Sequence, residues 1–434
     1  MKPSKFVIIC GLFVFIFIAC CTAVFASEEF IINEGTLLEY KGTDLNVVIP
    51  DNVVVIGENV FAEKGEIISV TISENVKEIH DKAFYGCMSL QSVEFIGKVE
   101  SIGNYCFYGC MSLNEINLLE GLKNIGENAF AVCTSLNSIV IPDSVENIGD
   151  YAFYGCMELE KVKLPKSISQ INTGLFNFCG NLDDVILPPF VAEIGDMSFS
   201  GCTGLSKISI SDEVKKIGIR SFEECISLEE IIIPSKVESI GDYCFYGCTN
   251  LISIKLPSGP ASIGSGTFES CIYLEAIELP SGTDINPYLF QNCVSLKSVK
   301  IANDTSKIGY GAFYNCNLLE QIQLPEGLKI IEDYAFGFCT GLKEISIPES
   351  VDSIGNYSFG MCNNLKTVII SQGVEKLGDG VFYACGNMEK VIIPKSVNEF
   401  GFNMFYGCHD IVIHCVEGSK AYDYAIENNI SFEL

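Results

Sequence analysis

The chain has 434 residues, 55 of them Asp or Glu against 27 Lys or Arg, for a formal net charge of −28. So acidic a surface repels phosphate backbones, which argues against nucleic acid and anionic membrane surfaces and favours cationic proteins or basic patches as partners. Apolar residues make up 48%, enough for a large core, while three His (His80, His409, His414) and no Trp leave little imidazole chemistry.

Lys2 and Lys5 precede an uncharged apolar run from Phe6 to Ala26, the composition of an export signal. A cut behind Val24-Phe25-Ala26 makes residues 1–26 a signal peptide. Two other readings stand beside it. Twenty-one apolar residues can span a bilayer as a retained anchor, and Phe17 to Cys20 is a loose lipoprotein site that would lipidate Cys20. All three place the remainder outside the cytoplasm, secreted or at the cell surface. Residues 27–56 are expected to form an N-terminal cap, because two alternating apolar runs flank the turn Asn33-Glu34-Gly35, as in a hairpin.

From 57 to 408 the chain repeats itself. Phe-x-x-Cys recurs from Phe84/Cys87 through Phe222/Cys225 to Phe405/Cys408 with a step of 23 residues, except for one step of 22 between Phe268 and Phe290. Phe61 holds the same frame without its Cys, which makes about sixteen units. A fixed period of this length marks a solenoid. Within a unit such as Ile148 to Pro165, Val162 and Leu164 alternate as in a strand, and Pro165 ends it for want of an amide hydrogen. Ile148-Gly149 is expected to turn the chain, and residues 150–155 to make a short helical turn capped by Asp150. One unit cannot bury its apolar face alone, so the array must fold through its neighbours and needs both ends covered.

Twenty-one Cys in an exported chain suggest disulfides, but fifteen occupy one equivalent position with parallel Cβ directions, which suits the S–S geometry badly. Buried thiols are expected there. Cys106 and Cys244, four residues before Cys110 and Cys248, are the two that could pair within a unit. No metal site is expected: there is no Cys-x-x-Cys, and His414 and Cys415 alternate on one strand. Residues 409–434 form the C-terminal cap, with a strand at Asp410 to Cys415, a helix begun by Ser419, and a closing strand at Ile430 to Leu434.

The unit from Ile148 to Pro165, the front from Gly35 to Ala62 and the tail from Gly418 to Leu434 resemble BspA-like leucine-rich repeat proteins. The resemblance covers about Phe30 to Leu434. It implies an α/β repeat solenoid, a right-handed leucine-rich-repeat superhelix with one strand per 23-residue repeat and capped ends. It also implies an exported adhesin that binds a protein partner, such as a fibronectin- or fibrinogen-like matrix protein. The alternative is a structural surface coat without a specific ligand.

If the sheet is the binding face, its outward residues follow from the frame. Lys163, Lys255 and Lys300 stand out on so acidic a chain, and Ile186, Ile232, Ile369 and Ile392 are apolar where water is expected. β-Branched residues also favour strands for their own sake. The tyrosines that follow the repeat Phe, such as Tyr85, Tyr246 and Tyr383, are expected to pack between coils. No catalytic residue, cofactor or metal is assigned: no repeat sets a nucleophile beside a base, and Gly264-Ser265-Gly266 lacks the setting of a phosphate loop.

Overall fold

The computed structural model describes residues 29–434; the apolar leader and Cys20 lie outside the described residues. The chain winds as a β-solenoid of about seventeen turns of about 23 residues with little helix. It divides into two compact units, one ending at Gly149 and the other running from Asp150 to Leu434.

The N-terminal unit opens on a hairpin, Phe30–Asn33 against Thr36–Tyr40. Its turn residues Glu34 and Gly35 both have positive φ, 47° and 79°, as a two-residue hairpin that matches strand twist requires. Behind it the coils stack in parallel. Val55–Ile56, Glu78–Ile79, Ser101–Ile102, Asn124–Ile125 and Asn147–Ile148 complete a seven-stranded sheet. A second sheet holds Asn46–Val48, Ser69–Ile72, Ser92–Phe95 and Glu115–Ile116.

The C-terminal unit repeats both series. The expected strand forms at Lys161–Lys163, Asp184–Ile186, Glu230–Ile232 and equivalent places. A second strand of two residues forms where a turn was expected, as at Ser239–Ile240. Each coil therefore contributes up to two strands. The two-residue strands stack in two ladders of five, and the C-terminal three- to four-residue strands in another five. Between Asp184 and Lys300 the three-residue strands pair only two by two. The unit closes with Val412–His414, the helix Lys420–Glu427 and Ser431–Glu433. Ser419 caps that helix by accepting the Tyr422 amide hydrogen at 3.2 Å.

The helical turn expected at residues 150–155 does not form, nor does any equivalent. Tyr151 and Gly155 lie at φ 56° and 67°, and the same two positions around each repeat Phe are left-handed, as at Arg220 (53°) and Glu224 (56°). The physical reason lies in the amides. A helix turns every N–H along its own chain, whereas left-handed residues at both ends of this segment let every second N–H point at the next coil. Arg220, Phe222 and Glu224 donate to the carbonyls of Asp242, Cys244 and Tyr246 at 3.0, 2.9 and 2.8 Å. The residue expected to cap a helix caps the next coil instead: the Asp242 carboxylate accepts from the Ser265 amide at 2.7 Å. The expected turn glycine is needed for close approach. A Cβ on Gly241 would lie 2.6 Å from the backbone of Gly218.

The repeat Phe side chains form the core. In the C-terminal unit Phe199, Phe222, Phe245, Phe268 and Phe290 are fully buried and stack with ring centroids 5.4–5.9 Å apart, within the range of offset stacking. In the N-terminal unit Phe61, Phe84 and Phe107 do the same at 4.9 and 5.1 Å. Beside each ring, the repeat Cys donates its S–H to the Phe carbonyl one coil back, for example Cys225 to Phe199 at 3.2 Å and Cys293 to Phe268 at 3.0 Å.

Left-handed backbone costs a non-glycine residue about 1–2 kcal/mol. Ala384 bears that cost at φ 54°, where Gly155, Gly201, Gly247 and Gly407 stand in other coils. Ala384→Gly is expected to stabilise the chain by about 1 kcal/mol, read as a higher urea midpoint. A lower midpoint would contradict the backbone conformation described.

Candidate protein-binding surface

The outward positions of the three-residue strands run across the C-terminal unit as Lys163, Ile186, Ser209, Ile232, Lys255, Glu278 and Lys300. The pairing sets Ile186 opposite Ser209, Ile232 opposite Lys255 and Glu278 opposite Lys300. Ile186 and Ile232 are 71% and 67% exposed. Burying either against a partner would contribute about 1.5–3 kcal/mol. Ile369 and Ile392, set opposite each other in the C-terminal five-stranded sheet, offer less: Ile369 is 39% exposed and Ile392 half-buried.

The lysines separate in the same way. Many basic side chains on the coils are held by a carboxylate one turn away. Lys216 pairs with Glu193 and Lys236 with Glu213 at 2.6 Å, and Lys297 pairs with Glu275 at 2.8 Å. Lys300 belongs to this set, because it pairs with Glu278. Lys163 and Lys255 are exposed and make no ion pair among the described residues. The structure thus brings together two unpaired ammonium groups and two bare isoleucines at Lys163, Ile186, Ile232 and Lys255. Next to them a shallow trough of about 630 Å³, lined by Glu278, Lys300, Gln323 and Glu326 among others, opens on the same face.

Chemistry finds no centre here. Among the described residues no three His, Cys, Asp or Glu gather closely enough to hold a metal. His80 faces Glu78 at 3.2 Å and His414 faces Glu433 at 3.4 Å, neither beside a nucleophile. All eighteen described cysteines are thiols, Cys106 and Cys244 included; Cys244 instead shares a hydrogen bond with Ser221 at 3.2 Å. Burial pushes the thiols up: Cys87 and Cys244 to about 12, and Cys408, nearer the surface, to about 11. These are not poised nucleophiles.

Tyr85 and Tyr108 stack between coils at 5.2 Å, and Tyr383 and Tyr406 do so at the same distance. A second tyrosine position, two or three residues before the repeat Phe, escaped the sequence reading. Tyr288, Tyr310, Tyr334 and Tyr357 occupy it, in ring-to-ring sequence 5.4–5.6 Å apart. The signal was present as the alternation of Tyr and Gly at one position of the frame. Among the described residues no helix is long and apolar enough to cross a membrane.

The family model described as the BspA type leucine-rich repeat region matches the chain over residues 40–156, 100–228, 169–293 and 283–412. Among solved structures, a leucine-rich repeat protein from Bacteroides ovatus is 29% identical, covers 91% of this chain and 97% of its own, and superposes with a TM-score of 0.72. A leucine-rich cell surface protein from Faecalibacterium prausnitzii is 24% identical over 94% of this chain and 98% of its own, with a TM-score of 0.45. No functionally curated protein matches.

Because burial raises the thiols, their stabilising contribution is complete below the ordinary thiol value of about 8.5. It is lost as pH climbs through the folded values of about 11 to 12. Iodoacetamide at pH 8 is expected to label Cys408 before any other repeat Cys and to leave Cys225 untouched until the chain unfolds, as read by peptide mass spectrometry. The melting temperature should fall steeply above about pH 9. Early, uniform labelling along the column would contradict the buried stack.

Proposed function

The chain belongs to the BspA-type leucine-rich repeat family, and from that membership we propose that it is an exported binding protein, secreted or displayed at the cell surface, whose sheet face grips another protein. The observation that carries the reading is the pair Ile186 and Ile232, 71% and 67% exposed, bracketed by Lys163 and Lys255. Isolated exposed apolar residues are ordinary, but large ones repeated on one face beside unpaired cations mark a contact surface. A matrix protein of the fibronectin or fibrinogen kind is the partner proposed: it is large, extracellular and offers acidic and apolar surface together. The apolar leader, as a signal peptide cut after Ala26 or a lipidated Cys20, supplies the route out of the cell. The description of the Faecalibacterium relative as a cell surface protein is in keeping with that placement. No catalytic step is part of the proposal; the chain's contribution is shape, apolar area and two unpaired ammonium groups.

Surface plasmon resonance on immobilised fibronectin and fibrinogen tests it. Saturable binding is expected, weakened about tenfold or more by Ile186→Glu with Ile232→Glu, since about 1.4 kcal/mol is a factor of ten. Lys163→Glu with Lys255→Glu should chiefly slow association and reduce its salt dependence. Binding no better than that of an acidic repeat protein used as a control would remove the adhesin reading and leave a passive surface coat.

A further inference from the structure

The C-terminal unit carries a second surface unlike the first. Six tyrosines, Tyr288, Tyr310, Tyr334, Tyr357, Tyr383 and Tyr406, run ring to ring across six successive coils, with centroids 5.2–5.8 Å apart. They are not core. Tyr310 and Tyr406 are 40% and 63% exposed, and the other four are half-buried. Three of the five joints are far from parallel: Tyr288–Tyr310 and Tyr357–Tyr383 meet at 67° and Tyr310–Tyr334 at 53°. An edge-to-face joint leaves one ring face of the pair uncovered, and that face is the negative end of the ring quadrupole. Asp333 and Asp379 stand beside the ladder, each carboxylate accepting an amide hydrogen of the next coil at 2.7 and 2.8 Å. The nearest cations, Lys307 and Lys376, are held by Glu332 and Glu399 at 2.6 and 3.3 Å. Among the described residues no Lys or Arg lies over any of the six rings.

The same unit shows what such a surface accepts. The chain has a single arginine, Arg220, and its guanidinium sits 5.1 Å from the centre of the Tyr243 ring while bonding the Glu223 carboxylate at 2.7 Å. Tyr243 occupies the repeat position that Tyr288, Tyr334 and Tyr357 occupy further on. Two neighbouring coils thus make a complete guanidinium site of ring face and carboxylate, and the later coils contain the rings, with Asp333 and Asp379 beside them, without the cation.

We propose that the tyrosine ladder is a docking strip for the arginine and lysine side chains of an extended basic segment of a partner protein, each cation taking a ring face at a tilted joint with a carboxylate beside it. This rests on the protein-binding reading above but uses different residues. The net charge of −28 favours the encounter at long range, and the ladder supplies the specificity, because cation–π contact requires an aromatic face and not merely negative charge.

A short peptide of alternating arginine and glycine, titrated into the full chain, tests the proposal. The chain has no Trp, so tyrosine emission reads the titration directly, with fluorescence anisotropy of a labelled peptide as a second readout. Replacing Tyr310, Tyr334 and Tyr357 by Leu is expected to weaken binding about tenfold or more, while replacing them by Phe, which keeps the ring faces, should retain most of it. The Phe variant guards against mistaking a folding defect for a lost site. Equal binding by the Leu variant would show diffuse attraction and overturn the proposal. So would ring-dependent binding of a soluble oligosaccharide with none of the peptide. Either outcome leaves the matrix-protein measurement at Ile186 and Ile232 standing, so the two readings fail separately.

Discussion

Everything in this chain depends on the backbone hydrogen bonds that run from one coil to the next at a constant height. On the strand faces these are ordinary parallel ladders. On the face that carries the repeat Phe they exist only because the chain turns left-handed two residues before and two residues after that Phe, aiming the amides of Arg220, Phe222 and Glu224 sideways at the following coil. The unfavourable left-handed positions are tolerated because each brings a buried amide to a carbonyl, and a buried amide without a partner costs about as much as the strain or more. The Phe column then follows from geometry, since identical coils at identical height put ring over ring. The 22-residue coil shows which of these constraints is least negotiable. Its Phe290 keeps full stacking on Phe268 at 5.6 Å, while the short strand of that coil shrinks to a lone bridge between Ile285 and Ile308. The missing residue was taken from the strand and not from the core.

That hierarchy explains what was readable beforehand. The strand at Val162 or Ile231 was legible because period-two alternation reports a face directly. The period itself, the buried Cys column and both ends of the array were legible for the same reason, each being a pattern of side-chain polarity. The segment around the repeat Phe was not. Residues such as Ala152, Phe153 and Tyr154 carry helix-compatible propensities, and what overrides them is an interaction with a chain segment 22 or 23 residues away that local propensity cannot register. A trace remained in the glycines: Gly86, Gly109, Gly155, Gly201, Gly247 and Gly407 share one position of the frame, and each has positive φ. A glycine recurring at fixed phase inside an expected helix argues against the helix.

The surface was less legible than the core because its pairings also cross coils. Lys300 is an exposed cation, but its neighbour 22 residues earlier is Glu278, with which it pairs. In a solenoid, the side chains that meet are those one period apart, so charges must be compared column by column instead of along the strand. On that comparison many lysines are already matched to carboxylates, and the net charge of −28 comes from acidic residues in excess of the basic ones. Lys163 and Lys255 are informative because they stand unpaired on the face that carries the exposed Ile186 and Ile232, not because they are basic. Exposed pairs of this kind contribute little to stability, about 0–1 kcal/mol each, so the matching matters more for what it withdraws from the surface than for what it adds to the fold.

The thiol column illustrates how one residue can satisfy demands that usually conflict. The site next to each ring is buried and lies beside a Phe carbonyl that has a lone pair to spare. Ala would leave that lone pair without a donor, and Ser would bring a hydroxyl costly to bury. A thiol fills the volume as a small hydrophobe and still donates weakly, as Cys248 does to Phe222 at 3.1 Å. The danger that so many thiols would meet in an oxidising environment is answered by the same geometry that creates it. Side chains stacked with parallel Cβ directions are poorly placed to close a disulfide within the column, and desolvation suppresses the thiolate that would attack. The column is therefore chemically quiet for the reason that it is structurally regular, and a coil that lost its alignment would lose both properties together.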